Sequence, residues 1–362
     1  MKIKASVNTT GSLRRGLAML GSIVVACAGA QLWRVCHLPL PWLVGSLYAV
    51  AFARIFGLPL LAPPGARQGG QWVIGASIGL YFSAAVVAEL LSHAALILVM
   101  ALSSLLMGVL AAAVMVRLRL ADPPTAFFAS MPGGAAEMSN LADMWHAAVD
   151  RVAAAHAIRV MLVVLVVPLA ITLSGSHGTD LTAVSAHEVV WSRFPLMAGA
   201  SLAGVALFTV LRLPNAWVLG TLCAIAALGI ENVPLSALPG WLSAAGQLMI
   251  GVSLGNRFAP GFMREAPAFL GGIVVMTIGF LLGVGLLALL ISSLTRLELA
   301  SLVLSFSPGG IAEMSITASN LNLGVPLVVA SHVARLVVLM LLAPSAYRAF
   351  ARMSGQIPKA KN

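Results

Sequence analysis

A Pro-Gly-Gly triplet interrupts an otherwise apolar run at 132–134, and the same triplet interrupts a second run at 308–310. Around it Pro132, Gly133, Gly134, Glu137, Met138, Ser139, His156 and Arg159 recur 176 positions later as Pro308, Gly309, Gly310, Glu313, Met314, Ser315, His332 and Arg335. Proline removes a backbone donor and clashes with the preceding turn, and paired glycines permit dihedrals closed to other residues. One helix therefore stops there and another starts. In lipid the freed backbone groups need partners, so such a break is tolerated only where protein or a water-filled cavity surrounds it. A carboxylate, a histidine and an arginine placed beside it are costly and call for a functional explanation.

The depth of those runs follows from composition. Of 362 residues 60% are hydrophobic and 9% charged, with a mean hydropathy of +1.00. This excludes a soluble globular chain and implies an all-α polytopic membrane protein. The net charge of +10 would suggest nucleic acid in a soluble protein. Here no basic run with interleaved aromatics exists, so nucleic acid is not an expected partner; the basic residues sit in short loops that set orientation in the bilayer. Cys27, Cys36 and Cys223 lack metal or redox spacing and read as packing residues. The basic N-terminus resembles a signal-peptide n-region, but the apolar segment after it has a counterpart at 194–211 and so belongs to the mature fold.

The chain reads as an internal duplication: a cytoplasmic tail (1–16), a membrane repeat (17–173), a polar linker (174–193), a second membrane repeat (194–347) and a cytoplasmic tail (348–362). The first repeat holds apolar segments at 17–36, 40–57, 71–90, 94–116, 123–146 and 151–173. The second holds them at 194–211, 215–230, 241–256, 267–292, 300–322 and 325–346. Leu38-Pro39-x-x-Trp42-x-x-Gly45 returns as Leu213-Pro214-x-x-Trp217-x-x-Gly220, and Gln71, Gly75, Ser77 and Gly79 return as Gln247, Gly251, Ser253 and Gly255. If all twelve segments cross, 14 Lys and Arg fall in cytoplasmic loops and 5 outside; if each Pro-Gly-Gly segment enters and leaves on one side, 16 fall inside and 3 outside. The positive-inside rule favours the second scheme, in which the repeats are inverted and each has about five spans plus one interrupted helix. A further scheme stays open, in which another segment is the one that fails to span and the Pro-Gly-Gly helix crosses fully but is broken in its middle.

A helix that starts near Gly134 or Gly310 presents unpaired amides and a positive dipole end to the cavity, a ready site for an anion or polar ligand. Ser130, Ser139 and Asn140 in one copy, and Ser305, Ser307, Ser315, Thr317 and Ser319 in the other, supply neutral polar groups around it. Glu137 and Glu313 fall near the third residue of the restarted helices. Each either caps an amide or takes up a proton or cation during a transport cycle, because burial raises a carboxylate's pKa. His156 and Arg159, like His332 and Arg335, share one helical face at i and i+3. A buried arginine needs an anion, a carboxylate or a run of carbonyls. Candidate partners are Glu137 and Glu313 or a substrate carboxylate. Gln71, Ser77, Gln247 and Ser253 either flank the same cavity or belong to small-residue faces that let helices pack closely.

The doubled Pro-Gly-Gly-x-Ala-Glu-Met, each copy followed by His-x-x-Arg and a proline-containing apolar stretch, resembles the AbrB family of bacterial membrane proteins, also labelled ammonia monooxygenase. The resemblance implies a multi-pass inner-membrane protein linked by its name to regulation of gene expression. More distantly, Ser130-Met131-Pro132-Gly133-Gly134-Ala135-Ala136 is similar to the broken-helix motif of bile-acid-type sodium symporters and the cation/proton antiporter group. That similarity implies inverted repeats whose discontinuous helices meet near mid-membrane, with breaks at 132–134 and 308–310. Glu-Met-Ser stands where the symporters carry sodium-binding residues, so coupling to a proton through Glu137 or Glu313 is expected instead.

The resulting expectation is a transporter and not an enzyme. It would move a small organic or amphipathic anion, use a coupling proton or cation, need no cofactor or metal, and sit in the inner membrane, with a homodimer as one arrangement. The alternative is a membrane-embedded sensor that influences gene expression without transport. An ammonia monooxygenase is the weakest reading. Its only in-membrane metal ligands would be Glu137, Glu313, His156 and His332, and no Glu-x-x-His or His-x-x-x-His spacing preorganises them.

Overall fold

Apolar segments with no β-branched alternation and with breakers confined to their ends satisfy their backbone groups internally as helices. The computed structural model describes residues 6–175, 188–258, 266–295 and 297–353, and among them helix is the only extended element. In chain order these helices are α1 (Ser6–Val35), α2 (Ser46–Ile55, opened by a π-helical turn at Pro41–Gly45), α3 (Ala66–Gly79), α4 (Ala84–Ser92) and α5 (Ala94–Arg117). They continue with α6 (Pro123–Ser130), α7 (Ala135–Met144), α8 (Val149–Leu173), α9 (Phe194–Val210) and α10 (Ala216–Ile230). The series ends with α11 (Gly240–Gly255), α12 (Pro267–Thr295), α13 (Leu299–Phe306), α14 (Ile311–Asn320) and α15 (Val325–Met353). The core of the linker at 176–187, tail residues 1–5 and 354–362, Arg264 and Arg296 lie outside the described residues.

Six helices are long and apolar enough to cross a bilayer: Leu13–Val35, Ala94–Arg117, Val149–Leu173, Trp191–Val210, Pro267–Thr295 and Val325–Met353. The chain is a multi-pass membrane protein. On α5, Leu98, Leu102, Leu106 and Leu110 form an i, i+4 stripe with more than 40% of each residue exposed, while Met100, Ser104, Gly108, Ala112 and Met115 on the other side are buried. Water would penalise that stripe; lipid does not. Exposed Leu282, Leu286 and Leu290 give α12 a similar face, opposed by buried Phe280, Val284 and Ala288.

One segment differs from its expected course. The stretch read as a single segment over 71–90 is two helices, α3 and α4, parted at 80–83. Tyr81 N and Phe82 N close a turn onto Ile78 O and Gly79 O, and Ser83 Oγ accepts from Val86 N as the cap of α4. A capping serine outweighs the continuity of the apolar run.

The helices gather into two units. One comprises Met1–Ser77, Glu188–Ile225 and Leu235–Glu265, and the other Ile78–His187, Ala226–Pro234 and Ala266–Asn362. The leading helices of both halves of the chain thus enter the first unit and the trailing ones the second. In the first unit, small residues let backbones touch. A Cβ on Gly29 would lie 2.6 Å from Gly45 O, and one on Gly204 would lie 2.2 Å from Gly220 O, so α1 meets α2 as α9 meets α10. Ala26, Val50, Leu60, Leu248 and Val252 form its core. In the second unit Met100, Phe280, Val284, Ala288, Leu302 and Phe306 form a core that joins α5, α12 and α13.

Candidate functional site

Both Pro-Gly-Gly motifs lie in the second unit, and the elements around them recur with the same spacing as the residues. The bounds of α6 and α7 and the start of α8, shifted by 176, are those of α13, α14 and α15. Asp122 Oδ2 accepts from Thr125 N at 3.3 Å and Pro123 fills the first helical position, so α6 begins with a capped N-terminus. It ends at the proline. The far end of α7 closes through Ala147 N donating to Ala142 O at 2.9 Å with His146 at φ +57°, and α14 closes in the same way through Leu323 N, Ala318 O and Asn322 at φ +52°. These are left-handed C-terminal turns, and each throws the chain into the next long helix.

Each interrupted segment folds back on itself. Thr125 Oγ1, at the start of α6, accepts from Ala148 N at 2.9 Å, immediately before α8. Two collinear helices over 123–144 would separate their ends by about 33 Å, whereas four connecting residues reach at most about 14 Å. The segment must therefore leave where it entered. Ser301 Oγ accepts from Gly324 N at 2.9 Å, so the same holds for α13 and α14. The structure thus has two re-entrant hairpins.

Their open ends lie at opposite ends of one helix. The base of the second hairpin is tied to the start of α15 through Gly324, while Trp145, at the base of the first, packs on Tyr347 near the other end of α15 with ring centroids 4.9 Å apart. Phe127 and Phe128 of α6 join that aromatic cluster at 5.3 and 5.2 Å from the Tyr347 ring. Along a continuous helix those points are about 35 Å apart, close to the thickness of a hydrocarbon core of about 30 Å. Arg159 and Arg335, each ten positions into its long helix, reach the hairpin tips at a depth of about 15 Å.

The arginines bind the broken backbone. Arg335 donates from Nη1 to Ser307 O at 2.5 Å and from Nη2 to Gly309 O at 2.6 Å, covering carbonyls in the break between α13 and α14. Arg335 Nη2 also donates to His332 Nδ1 at 2.8 Å, and His332 Nε2 lies 3.0 Å from Leu304 O. Arginine only donates and a carbonyl only accepts, so His332 is a neutral imidazole carrying its proton on Nε2. In the first hairpin Arg159 donates to Ala129 O at 3.3 Å, and His156 Nδ1 donates to Val152 O of its own helix at 2.9 Å. Of the partners left open by the sequence, Arg335 takes the run of carbonyls.

The carboxylates lie over the restarted helices. A Cβ on Gly134 would fall 1.9 Å from Glu137 Oε2, and one on Gly310 would fall 2.0 Å from Glu313 Oε2. Each glutamate is the third helical residue and folds back over the capping glycine, the position from which a capping-box glutamate reaches back. Both glycines have extended φ and ψ, −68° and 140° for Gly134 and −81° and 157° for Gly310, so it is the space above them that calls for glycine. Glu313 is buried whereas Glu137 is half-buried. Their helices differ likewise: α14 is buried from Ala312 to Ala318, but α7 only at Met138 and Ala142.

Three of the seven hydroxyl groups expected around the cavity bond back along their own helices. Ser305 Oγ donates to Ser301 O, Ser307 Oγ to Val303 O and Thr317 Oγ1 to Glu313 O, at 2.6–2.9 Å. Ser130 Oγ meets Met115 Sδ at 3.5 Å, and Ser319 Oγ shares a 2.8 Å hydrogen bond with Tyr81. Ser315 Oγ is buried without a hydrogen-bond partner among the described residues, while Ser139 is half-buried and Asn140 exposed. Gln71, Ser77, Gln247 and Ser253 belong to the first unit. There Gly70 abuts Gly246 and Ile250, Gly251 abuts Ser46 and Leu43, and Gln247 Nε2 donates to Ser243 Oγ at 3.5 Å. Thr125 and Ser301, which close the hairpin bases, were not singled out from the sequence; a hydroxyl recurring at the common spacing of 176 was the available signal.

Comparison with known proteins places these elements in a family context. The family model described as "Transition state regulatory protein AbrB" matches residues 42–351. "Uncharacterized protein YhjN" of Bacillus subtilis (strain 168) is 28% identical, with 92% of this chain and 93% of that protein covered. "Putative regulator AbrB" of Escherichia coli (strain K12) is 26% identical, over 86% of this chain and 90% of its own length. No solved structure matches.

Proposed function

Because the chain belongs to the AbrB family of membrane proteins, we propose that it is a secondary transporter of a small organic anion, built as an inverted internal duplication in the bacterial inner membrane with both termini cytoplasmic. The observation that carries this reading is the pair of re-entrant hairpins based at opposite ends of α15, with Pro-Gly-Gly tips near mid-depth. Two hairpins entering from opposite faces give a buried site reachable from either side, the minimum that alternating access requires. The tips also carry the amide-rich starts of α7 and α14 and two carboxylates, and an arginine from α8 and one from α15 reach the hairpins.

Glu137 and Glu313 already lie over the helix starts where an anion would bind. An incoming carboxylate therefore competes with a resident one. In the proposed cycle the substrate takes the place of Glu137, the more accessible of the two, and the displaced side chain takes up a proton, which couples anion and proton movement. Reconstitution into liposomes tests this with labelled acetate, lactate, succinate and benzoate under an imposed pH gradient. Flux that follows the gradient and is altered by Glu137→Gln supports the proposal; binding of these anions without flux overturns it. A second reading, a membrane-embedded sensor, draws on the word "regulator" in the names of the family and of the E. coli relative. That outcome, binding without flux, is the one that favours it.

A further inference from the structure

The two arginines occupy equivalent positions and do unequal work. Arg335 makes three bonds: two short ones to carbonyls and a third to His332, a neutral histidine that passes the tie on to Leu304 O. Arg159 donates a single bond of 3.3 Å, and its Nε has no hydrogen-bond partner among the described residues, although the residue is only 5% exposed. A guanidinium has five N–H donors in a planar fork. Its neighbouring histidine does not help, since His156 Nδ1 is turned to Val152 O. A buried cation with unused donors is untenable alone; buried charges are paired.

We infer that Arg159 is the anion-binding residue of the central site, receiving a carboxylate of the ligand on its unused fork, while Arg335 and His332 are positioning residues that hold the second hairpin. The planar fork and a carboxylate match in bidentate geometry, which inorganic oxoanions also offer, so the class is a compact oxyanion with carboxylate as the member assigned here. The surroundings of α7 agree. It is the less buried of the two restarted helices, and its Glu137 is the less buried carboxylate, so a ligand has room to enter there. This assignment deepens the transport reading of the same site, but binding and movement are separate measurements.

The test compares Arg159→Met and Arg335→Met in the full-length, detergent-purified protein by thermal unfolding, alone and with sodium acetate, benzoate, succinate or sulfate at constant ionic strength. Without added anion, Arg159→Met is expected to melt at or above the wild-type temperature, because it removes an under-paired buried charge. Arg335→Met is expected to melt lower, because Ser307 O and Gly309 O lose their donor. A carboxylate that stabilises the wild type by about 3 °C should leave Arg159→Met unmoved and should outperform sulfate. The inference is overturned if Arg159→Met melts as low as Arg335→Met, if stabilisation by the anion survives Arg159→Met, or if none of the four anions stabilises the wild type. Preference for sulfate over every carboxylate overturns the carboxylate assignment. Failure of liposome flux with these binding results intact refutes transport and leaves Arg159 as the anion site of a sensor.

Discussion

Replacing Gly310 with alanine isolates what the second carboxylate does. The backbone at Gly310, with φ −81° and ψ 157°, accepts alanine without strain, so the substitution acts through the new methyl alone. That methyl would lie 2.0 Å from Glu313 Oε2 and 2.9 Å from Cδ, and the carboxylate has to swing off the helix start. Loss of a capping interaction costs about 1 kcal/mol, and a buried polar group left without its partner costs about 1–3 kcal/mol more. Glu313 is buried, so both costs apply, and Gly310→Ala should destabilise by about 2–4 kcal/mol. At Gly134 the approach to Glu137 is as close, but the half-buried carboxylate can turn to water, which leaves only the capping loss of about 1 kcal/mol. Unfolding of the purified protein, combined with the double variant Gly310→Ala/Glu313→Ala, gives the coupling directly. With Glu313 already removed, Gly310→Ala should cost nothing, or stabilise slightly by restricting the unfolded chain. An equal cost with and without Glu313 would refute the placement of that carboxylate over the glycine.

Further expectations follow from the same contacts. Thr125→Val and Ser301→Ala each remove the acceptor that closes a hairpin base and should cost about 1 kcal/mol by the same unfolding assay, with Thr125→Ser close to neutral. His332→Leu strips Arg335 of an acceptor and Leu304 O of a donor, so it should lose about 1–3 kcal/mol, more than His156→Leu, whose bond to Val152 O stays within one helix. Gly204→Ala drives a methyl to 2.2 Å from Gly220 O, and because that obstacle is backbone the α9–α10 contact has to open. A loss of about 1–3 kcal/mol, seen as a lower melting temperature, is expected, against none for Gly199→Ala, whose surroundings are open.

Much of this site was legible in the residues, and the gaps have physical causes. Pro132 and Pro308 located both helix breaks, and the spacing of Glu137 and Glu313 from them put both in the first turn of the restarted helices. Loop charges favoured hairpins over full crossings, and the two hydroxyl ties at Thr125 and Ser301 agree with that scheme. The partner of Arg335 could not be named because backbone carbonyls leave no trace in a side-chain pattern; three kinds of partner remained equally compatible with the sequence. Ser305, Ser307 and Thr317 read as cavity lining because composition records a hydroxyl but not its rotamer, and the rotamer turns each one to its own helix. The break at 80–83 was hidden because neither proline nor an apolar gap marks it, only a capping serine within a hydrophobic run. The inequality of Arg159 and Arg335 was out of reach, since both copies spell the same motif and differ in burial and in the setting of the histidine.

Two re-entrant hairpins opening on opposite faces make a definite statement about topology. In a chain freed of cysteine by Cys27→Ala, Cys36→Ala and Cys223→Ala, single cysteines at Asp122 and Ala147 mark the two ends of the first hairpin, and those at Glu298 and Asn322 mark the ends of the second. Labelling of sealed, oriented membranes with an impermeant thiol reagent reads the side of each. Asp122→Cys and Ala147→Cys should react from one side and Glu298→Cys and Asn322→Cys from the other. Reaction of Asp122→Cys and Ala147→Cys from opposite sides would show that the first interrupted segment crosses, and reaction of all four from one side would show that the hairpins are not inverted.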